Sequence, residues 1–219
     1  MIFKVRYSLI KDTDLIINSV FHFNYFKHGR VNIEKKLLSI MDTGIQKIIK
    51  NNQGEKEIKS KLKIYLAANK KERLGKVKVL QEELNTIGGQ IVSNLEFLYQ
   101  KSFPFSKITL YLSSSPLCPY SYKAKNLFIF YKAMKNIQLR IIEHELNHFM
   151  FYYYYADFKK HIGKEKYELL KESLTFFSNP EEKGKPNEKE LRELYASRSW
   201  SNLEKAIKAG FKLQLKSVF

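Results

Sequence analysis

Two histidines and a glutamate with a fixed spacing stand near the middle of the 219-residue chain. The stretch His144-Glu145-Leu146-Asn147-His148 is an H-E-x-x-H pattern. Helical positions four apart lie nearly above one another, so both imidazoles project from one face, at a spacing that suits two ligands of a tetrahedral zinc ion. Glu145 would lie beside the open position of the metal, where it could take a proton from a zinc-bound water. The pattern therefore favours a zinc-dependent hydrolase.

The motif lies in the middle of residues 136–156, which predict one long and mostly apolar helix. Histidine and glutamate on such a helix need partners, because an unpaired buried polar group costs roughly 2–7 kcal/mol. A metal ion would satisfy all of them together. The alternative is that they pair with other side chains and bind no metal. The apolar neighbours are Ile137, Ile141, Ile142, Leu146, Phe149 and Met150.

The stretches around the motif indicate an α+β fold. Residues 1–100 carry apolar side chains mainly at helical spacing and predict a mostly helical lobe within the same domain. Residues 107–113 and 126–132 are rich in strand formers and predict a small sheet that precedes the motif helix. Residues 101–219 would then form the core that carries the chemistry.

Two further patterns concern the end of the chain. Residues 188–209 predict a last helix, which Gly210 would end. The tail, residues 211–219, alternates apolar and polar side chains and predicts a short strand.

Residues 107–177 resemble the catalytic part of a zincin metallopeptidase, in the order strand, loop, strand and H-E-x-x-H helix. They are most similar to the gluzincins, whose third zinc ligand is a glutamate on a later helix. Residues 171–175 resemble a K-E-[AS]-L-T stretch of uncharacterised small bacterial gluzincin-like proteins, as do Leu191-Arg192 and Trp200 downstream. The resemblance implies a zincin-like fold, one Zn²⁺ per chain and hydrolysis of peptide bonds in a peptide or protein substrate.

In zincin folds the strand before the active helix is often a sheet edge that binds extended substrate through its backbone. The resemblance implies this role for one predicted strand. Its residues are Asn126, Leu127, Phe128, Ile129 and Phe130.

A zinc hydrolase of this kind needs a third protein ligand, and the residues after His148 offer several candidates. A metzincin would place histidine six residues later, where this chain has Tyr154. Asp157 would suit an aspzincin, but no G-T-x-x-D surrounds it. His161 stands 13 positions after His148, in a stretch that resembles SprT-type, DNA-associated zinc proteases. Glu172 stands 24 positions after it.

Glu172 is the preferred third ligand, and His161 is the alternative. Residues 164–178 predict a helix on which Glu172 falls at the edge of the apolar arc. The chain departs from many gluzincins in carrying Phe176, rather than an acidic residue, four positions after this glutamate. Groups that orient the ligands must therefore come from elsewhere.

The implied mechanism is hydrolysis by a zinc-activated water, with Glu145 as the general base that later hands its proton to the leaving amine. The developing oxyanion needs a further donor. Tyr195, His161 and Arg198 are candidates by residue type, and Tyr195 lies on the next predicted helix.

The formal net charge of +17 admits two interpretations. One is an anionic partner such as nucleic acid. The other, which we favour, is compositional, since lysine is scattered through the helical segments and no nucleic-acid-binding signature accompanies it. Two alternative functions follow: a basic, nucleic-acid-associated protease of the SprT type, and a catalytically inactive zincin-like binding module.

The rest of the composition argues against disulfide-rich, membrane-spanning and secreted proteins. A single cysteine, Cys118, excludes an intramolecular disulfide framework. No apolar run approaches the roughly 18–20 residues of a membrane span. Charges interrupt residues 1–14, which therefore lack the apolar core of a secretory signal. We therefore expect a cytoplasmic protein without a membrane span.

Overall fold

The computed structural model describes residues 1–22, 36–178, 184–197, 199–200 and 202–216. This part of the chain is α+β, mainly helical with one small mixed sheet that precedes the motif helix, which confirms the predicted class. None of its helices combines the length and the apolar content needed to cross a membrane. The chain divides into two compact units: Met1, Ile87–Ser106 and Leu139–Phe219 form the first, and Ile2–Thr86 and Lys107–Gln138 form the second. The division into a helical lobe over residues 1–100 and a core over residues 101–219 within one domain stays a prediction.

The sheet belongs to the second unit. Its strands are β1 (Ile2–Tyr7), β2 (Lys107–Ser113), β3 (Tyr120–Ser121) and β4 (Asn126–Phe130). They lie in the order β1-β2-β4-β3, with β2 parallel to β1 and β4, and β3 antiparallel to β4. Alternate side chains of β2 are buried, because successive residues of a strand point to opposite faces. Both predicted strands are present, although the second ends at Phe130.

β4 is not the outermost strand of the sheet. β3 pairs with Asn126 and Leu127, and the Phe128 N–H donates a hydrogen bond to the Pro119 carbonyl at 2.9 Å. The chain before β4 therefore turns back and covers that side of the strand. The expectation of a free edge is wrong for the first three residues, because backbone groups already paired cannot receive a substrate strand. The strand expected to bind substrate consists of Asn126, Leu127, Phe128, Ile129 and Phe130.

The second unit also contains helices, and the first three of them contribute to an aliphatic cluster. They are α1 (Leu9–Ile17), α2 (Thr43–Lys50), α3 (Glu55–Ala68) and the part of α4 (Lys70–Tyr99) up to Thr86. α1 begins after Ser8, whose Oγ accepts a hydrogen bond from the Lys11 N–H and so caps the helix. The buried cluster comprises Ile16, Ile17, Met41, Ile45, Ile58, Leu62 and Leu66.

The first unit is helical. Its elements are the part of α4 from Ile87, α5 (Lys135–Tyr155) from Leu139, α6 (Phe158–Ser173), α7 (Lys189–Ala196) and α8 (Leu203–Lys216), with short 3₁₀ turns at Leu174–Phe177 and Pro186–Glu188. Gly163 adopts φ 76° and ψ 169° within α6 and divides it into two pieces. This positive φ favours glycine, and the second piece begins where the sequence predicted a helix.

Gly210 lies inside α8 and does not end a helix. A β-carbon at this position would come within 2.4 Å of the Tyr195 hydroxyl and 2.8 Å of Leu170 Cδ1, so glycine allows α8 to pack closely on its neighbours. The predicted helix over 188–209 is therefore wrong in its bounds, since α7 and α8 replace it. The strand predicted for the tail is wrong for residues 211–216, which are helical, and residues 217–219 lie outside the described chain.

Candidate metal centre

The H-E-x-x-H motif lies on α5, in the first unit. The rings of His144 and His148 have centroids 4.4 Å apart. His144, Glu145 and His148 each offer one ligand atom, and these atoms lie within 4.8 Å of one another. Glu145 and His148 are buried, whereas His144 is partly exposed. The predicted spacing therefore places three chemically active side chains together, with one histidine at the surface.

Glu172, near the end of α6, brings its carboxylate to both histidines. Its Oε1 lies 3.4 Å from His148 Nε2, and its Oε2 lies 3.9 Å from His144 Nε2. Two donor atoms at the usual zinc distances of about 2.0–2.1 Å are separated by roughly 3.3 Å in a tetrahedral site. The 3.4 Å separation from His148 is close to this value, and the 3.9 Å separation, from His144 to the other carboxylate oxygen, is somewhat longer. The donor set of two imidazoles and a carboxylate therefore fits a zinc ion.

Two lysines also approach the Glu172 carboxylate. The Lys171 ammonium is 3% exposed and lies 3.0 Å from Glu172 Oε1 and 2.8 Å from Glu168 Oε2. The Tyr152 hydroxyl donates a hydrogen bond to Glu168 Oε1 at 2.7 Å and so completes this chain of contacts. Lys185 Nζ lies 3.6 Å from Glu172 Oε2. The carboxylate is thus held in place by cations as well as by the imidazoles.

The electrostatic surroundings favour metal-binding protonation states. Burial lowers the pKa of His148 to about 3, and the charge of Lys171 acts in the same direction. Burial alone would raise the pKa of Glu172, but its hydrogen bond with His148 and the charges of Lys171 and Lys185 hold that pKa well below its ordinary range. At neutral pH, His148 is therefore a neutral imidazole and Glu172 a carboxylate, the forms that bind metal.

Asn147, inside the motif, connects α5 to two other segments of the first unit. It is fully buried. Its Oδ1 accepts a hydrogen bond from the Tyr99 hydroxyl at 2.5 Å, and its Nδ2 donates to the Leu174 carbonyl at 3.4 Å and to Ser178 Oγ at 3.3 Å. Leu174 is two residues after Glu172. Asn147 therefore fixes the position of the motif helix relative to the turn that follows the carboxylate.

The backbone at Glu172 is supported in the same way from α7. The Thr175 hydroxyl donates to the Glu172 carbonyl at 2.8 Å, and Arg192 Nη2 donates to that hydroxyl at 3.1 Å. Arg192 Nε also pairs with Glu188 Oε2 at 2.9 Å. These contacts hold the end of α6, and with it the carboxylate, against α7.

His161, the alternative third ligand, is exposed on the first piece of α6. Its ring meets Phe211 edge-on, with centroids 6.2 Å apart. The Glu172 carboxylate, in contrast, lies beside both motif histidines. The choice between the two as zinc ligands stays a prediction, and the geometry favours Glu172.

Tyr195 is part of the hydrophobic core. It is 1% exposed and its ring lies 5.0 Å from Phe177 and 6.4 Å from Trp200, and burial raises the pKa of its hydroxyl. An oxyanion donor must contact the substrate. The role of Tyr195 as oxyanion donor stays a prediction, and its burial does not favour it. Arg198, another candidate, lies outside the described residues.

Three residues around the centre had not been predicted: Asn147, Lys171 and Lys185. Asn147 carried a usable signal, because an amide inside an apolar helix must find partners. Lys171 and Lys185 carried none, since lysines are common on exposed surfaces and only the packing shows where these two lie.

Comparison of the chain with family models, curated proteins and solved structures returned no match. The chemistry of the centre is therefore argued from its own residues.

Proposed function

We propose that this protein is a zinc-dependent metallopeptidase of the zincin type. One observation carries the proposal: the Glu172 carboxylate reaches both motif histidines, at 3.4 and 3.9 Å. Two histidines on one turn of helix are common, but a carboxylate from a second helix beside both nitrogens completes the donor set of a catalytic zinc site.

His144, His148 and Glu172 would hold the ion. Bound zinc activates water at neutral pH and polarises a substrate carbonyl. Glu145 would accept a proton from the attacking water and deliver it to the leaving amine nitrogen. Its position supports this role, because its carboxylate lies within 4.8 Å of the ligand atoms of both histidines and so beside the place where the ion would hold its water.

The network behind the ligands supports the same proposal. Lys171 contacts the side chain of Glu172, and Asn147 contacts the turn that follows it. Such outer contacts orient metal ligands and typically contribute about 10- to 100-fold to metal affinity or activity. They also supply the orientation that the chain does not obtain from an acidic residue at position 176.

Three variants test the proposal by zinc content and peptide hydrolysis. Wild-type protein purified without chelator should hold one zinc per chain and cleave peptides. Glu145→Gln should keep the zinc and lose about 10²- to 10⁴-fold in kcat/KM, the usual contribution of a general base. Glu172→Gln should lose the zinc and the activity together. Glu165→Gln, an exposed change of the same type on α6, is the matched control and should behave as wild type.

The outcomes separate the alternatives. Stoichiometric zinc without any cleavage of a peptide library would favour an inactive zincin-like binding module. Zinc retained in Glu172→Gln but lost in His161→Ala would reassign the third ligand. Salt-dependent DNA binding would favour the nucleic-acid-associated alternative. A cytoplasmic location stays a prediction from the sequence.

A further inference from the structure

A pocket with a basic rim lies beside Glu172 in the first unit. Its volume is about 470 Å³, within the usual range for sites that bind small groups. Lys185, Lys189 and Arg192 contribute positive charge to its lining, and Glu193 is the acidic residue among the described residues that line it. Apolar surface comes from Phe176, Pro186 and Ala196.

The pocket adjoins the candidate metal centre through two of its own residues. The Lys185 ammonium, part of the lining, is 3.6 Å from Glu172 Oε2. Phe176, also in the lining, follows Glu172 by four residues in the continuous run of α6 and the 3₁₀ turn. The pocket and the candidate metal centre therefore meet at Lys185, whose ammonium lies beside the Glu172 carboxylate.

The three cations are held to different degrees. Arg192 is largely buried and bound to Glu188 and Thr175, so it gives a fixed positive wall. Gly184 permits this placement, because a β-carbon there would collide with the Arg192 side chain. Lys189 and Lys185 are more exposed, and the 3.7 Å pair between Lys189 and Glu193 is an exposed one. Exposed pairs contribute little energy, so an anion entering the pocket can compete for Lys189.

We propose that this pocket binds a carboxylate of the peptide substrate close to the bond that is cleaved. The proposal rests on the proposed peptidase function. Cationic groups at the rim match the carboxylate, and the apolar surface of Phe176 and Pro186 matches the methylene groups that carry it. The carboxylate is either an aspartate or glutamate side chain or the C-terminus of the peptide, since both present the same anion.

Binding can be measured without turnover on zinc-loaded Glu145→Gln protein. The probes are fluorescent peptides in matched sets that differ only in Glu against Gln at one position, or in a free against an amidated C-terminus. The peptide with the preferred carboxylate should bind about three- to tenfold more tightly than its neutral match, the range for one partly exposed charged contact. The set that shows the preference identifies which carboxylate is bound.

Lys189→Gln, in the same background, should abolish most of that preference, because it removes a cation from the pocket. Lys78→Gln is the matched control and should preserve it. Lys78 also forms an i, i+4 pair with a glutamate, at 4.0 Å with both side chains exposed, and it does not line the pocket. Both changes lower the net charge by one, so they weaken the general attraction of anionic peptides to this basic protein equally. A difference between the two variants therefore reports the pocket.

Equal binding of charged and neutral probes would overturn the proposal that the pocket binds a carboxylate. Absence of binding by every probe, or a preference that survives Lys189→Gln, would also overturn it. These results are distinct from failure of the peptidase itself, which would appear in wild-type protein as missing zinc or missing cleavage. Cleavage kinetics give a second test in the active protein. If wild type cleaves peptides and Lys189→Gln does not change the ratio of kcat/KM for acidic peptides to kcat/KM for neutral peptides, the peptidase function stands and the assignment of the pocket is wrong.

Discussion

Each unit of this protein contains a cluster of buried or partly buried ionisable side chains, and the two clusters differ in the groups that surround their carboxylates. In the second unit, Arg73 and Asp12 are both almost completely buried. Asp12 accepts hydrogen bonds from the Ser113 hydroxyl and from the N–H and hydroxyl of Ser114, at 2.6–2.9 Å. Arg73 donates to the Ser114 hydroxyl and the Asn69 carbonyl, each at 2.9 Å.

The same cluster, which we call the Arg73 cluster, extends to Asp42. The hydroxyls of Tyr131 and Tyr65 donate to its carboxylate at 2.6 and 2.7 Å. Arg73 lies over the Tyr131 ring at 4.8 Å and 3.8 Å from Asp42. Donors from the protein thus cover both carboxylates, as expected where buried charges hold a fold together.

The cluster of the first unit, formed by His144, Glu145, His148 and Glu172, is built differently. Its potential ligand atoms converge on a small region, and its cations, Lys171 and Lys185, lie beside the Glu172 carboxylate. The comparison teaches that a buried carboxylate serves structure where donors of the protein itself surround it. It can serve binding where imidazole nitrogens and carboxylate oxygens converge, because a positive ion can then be held between them.

Removing the cation of the Arg73 cluster should have the larger effect on folding. Arg73→Met leaves the buried Asp12 charge without its counter-ion, and breaking such a pair costs about 3–5 kcal/mol of unfolding free energy. Urea unfolding followed by circular dichroism measures it. The loss should be the same with and without zinc. A loss below about 1 kcal/mol would show that the cluster is not structural.

The corresponding change in the other cluster is Lys171→Met. The partners left behind, Glu168 and Glu172, are partly exposed, so water can solvate them and the cost should be smaller, about 1–2 kcal/mol in metal-free protein. Zinc should reduce this penalty, because the ion provides the positive charge that Glu172 has lost. Urea unfolding with and without zinc measures the difference. An identical penalty in both conditions would mean that zinc does not bind at Glu172.

The smallest effect concerns pH. Burial raises the pKa of Asp42, but hydrogen bonds from Tyr131 and Tyr65 and the charge of Lys132 more than offset this, so its folded pKa lies below the ordinary 3.8. A lowered carboxyl pKa stabilises the fold above the unfolded pKa, and this stabilisation is lost as pH falls through the folded pKa.

The difference in unfolding free energy between wild type and Asp42→Asn should therefore be constant from pH 7 to about 5 and shrink below about 4. Urea titrations at a series of pH values give this curve. A difference that stays constant down to pH 3 would contradict the assigned pKa shift.

Much of the local structure could be predicted from the chain alone. Strand β2, the start of β4 and the long motif helix follow from apolar periodicity, because each buries one face or stripe within its own length. The predictions for Gly210 and for the tail are wrong because the structure there depends on contacts with distant parts of the sequence. A glycine is accommodated at position 210 of α8 because the Tyr195 and Leu170 side chains, from two other helices, leave no room there for a β-carbon.

The expectation that β4 is a free edge of the sheet is wrong for the same reason. A strand's position in a sheet depends on which other segments pair with it, and the two-residue β3 is too short to give a pattern of its own. Tyr195 had the right chemical type for an oxyanion donor, but residue type does not report burial, and packing placed it in the core.

The sequence by itself determined that two imidazoles and a glutamate share one face of one helix, since a spacing of four residues fixes this locally. It also marked Glu172 as a candidate on a later helix. Only the tertiary structure decided that this carboxylate, and not His161, lies beside both ring nitrogens, and that Lys171, Lys185 and Asn147 hold it there. The contacts of His148 with Glu172 and of Asn147 with Leu174 join residues 24 or more positions apart, and Lys185 follows Glu172 by 13 positions. Such contacts are set by the packing of the whole unit and not by any local pattern.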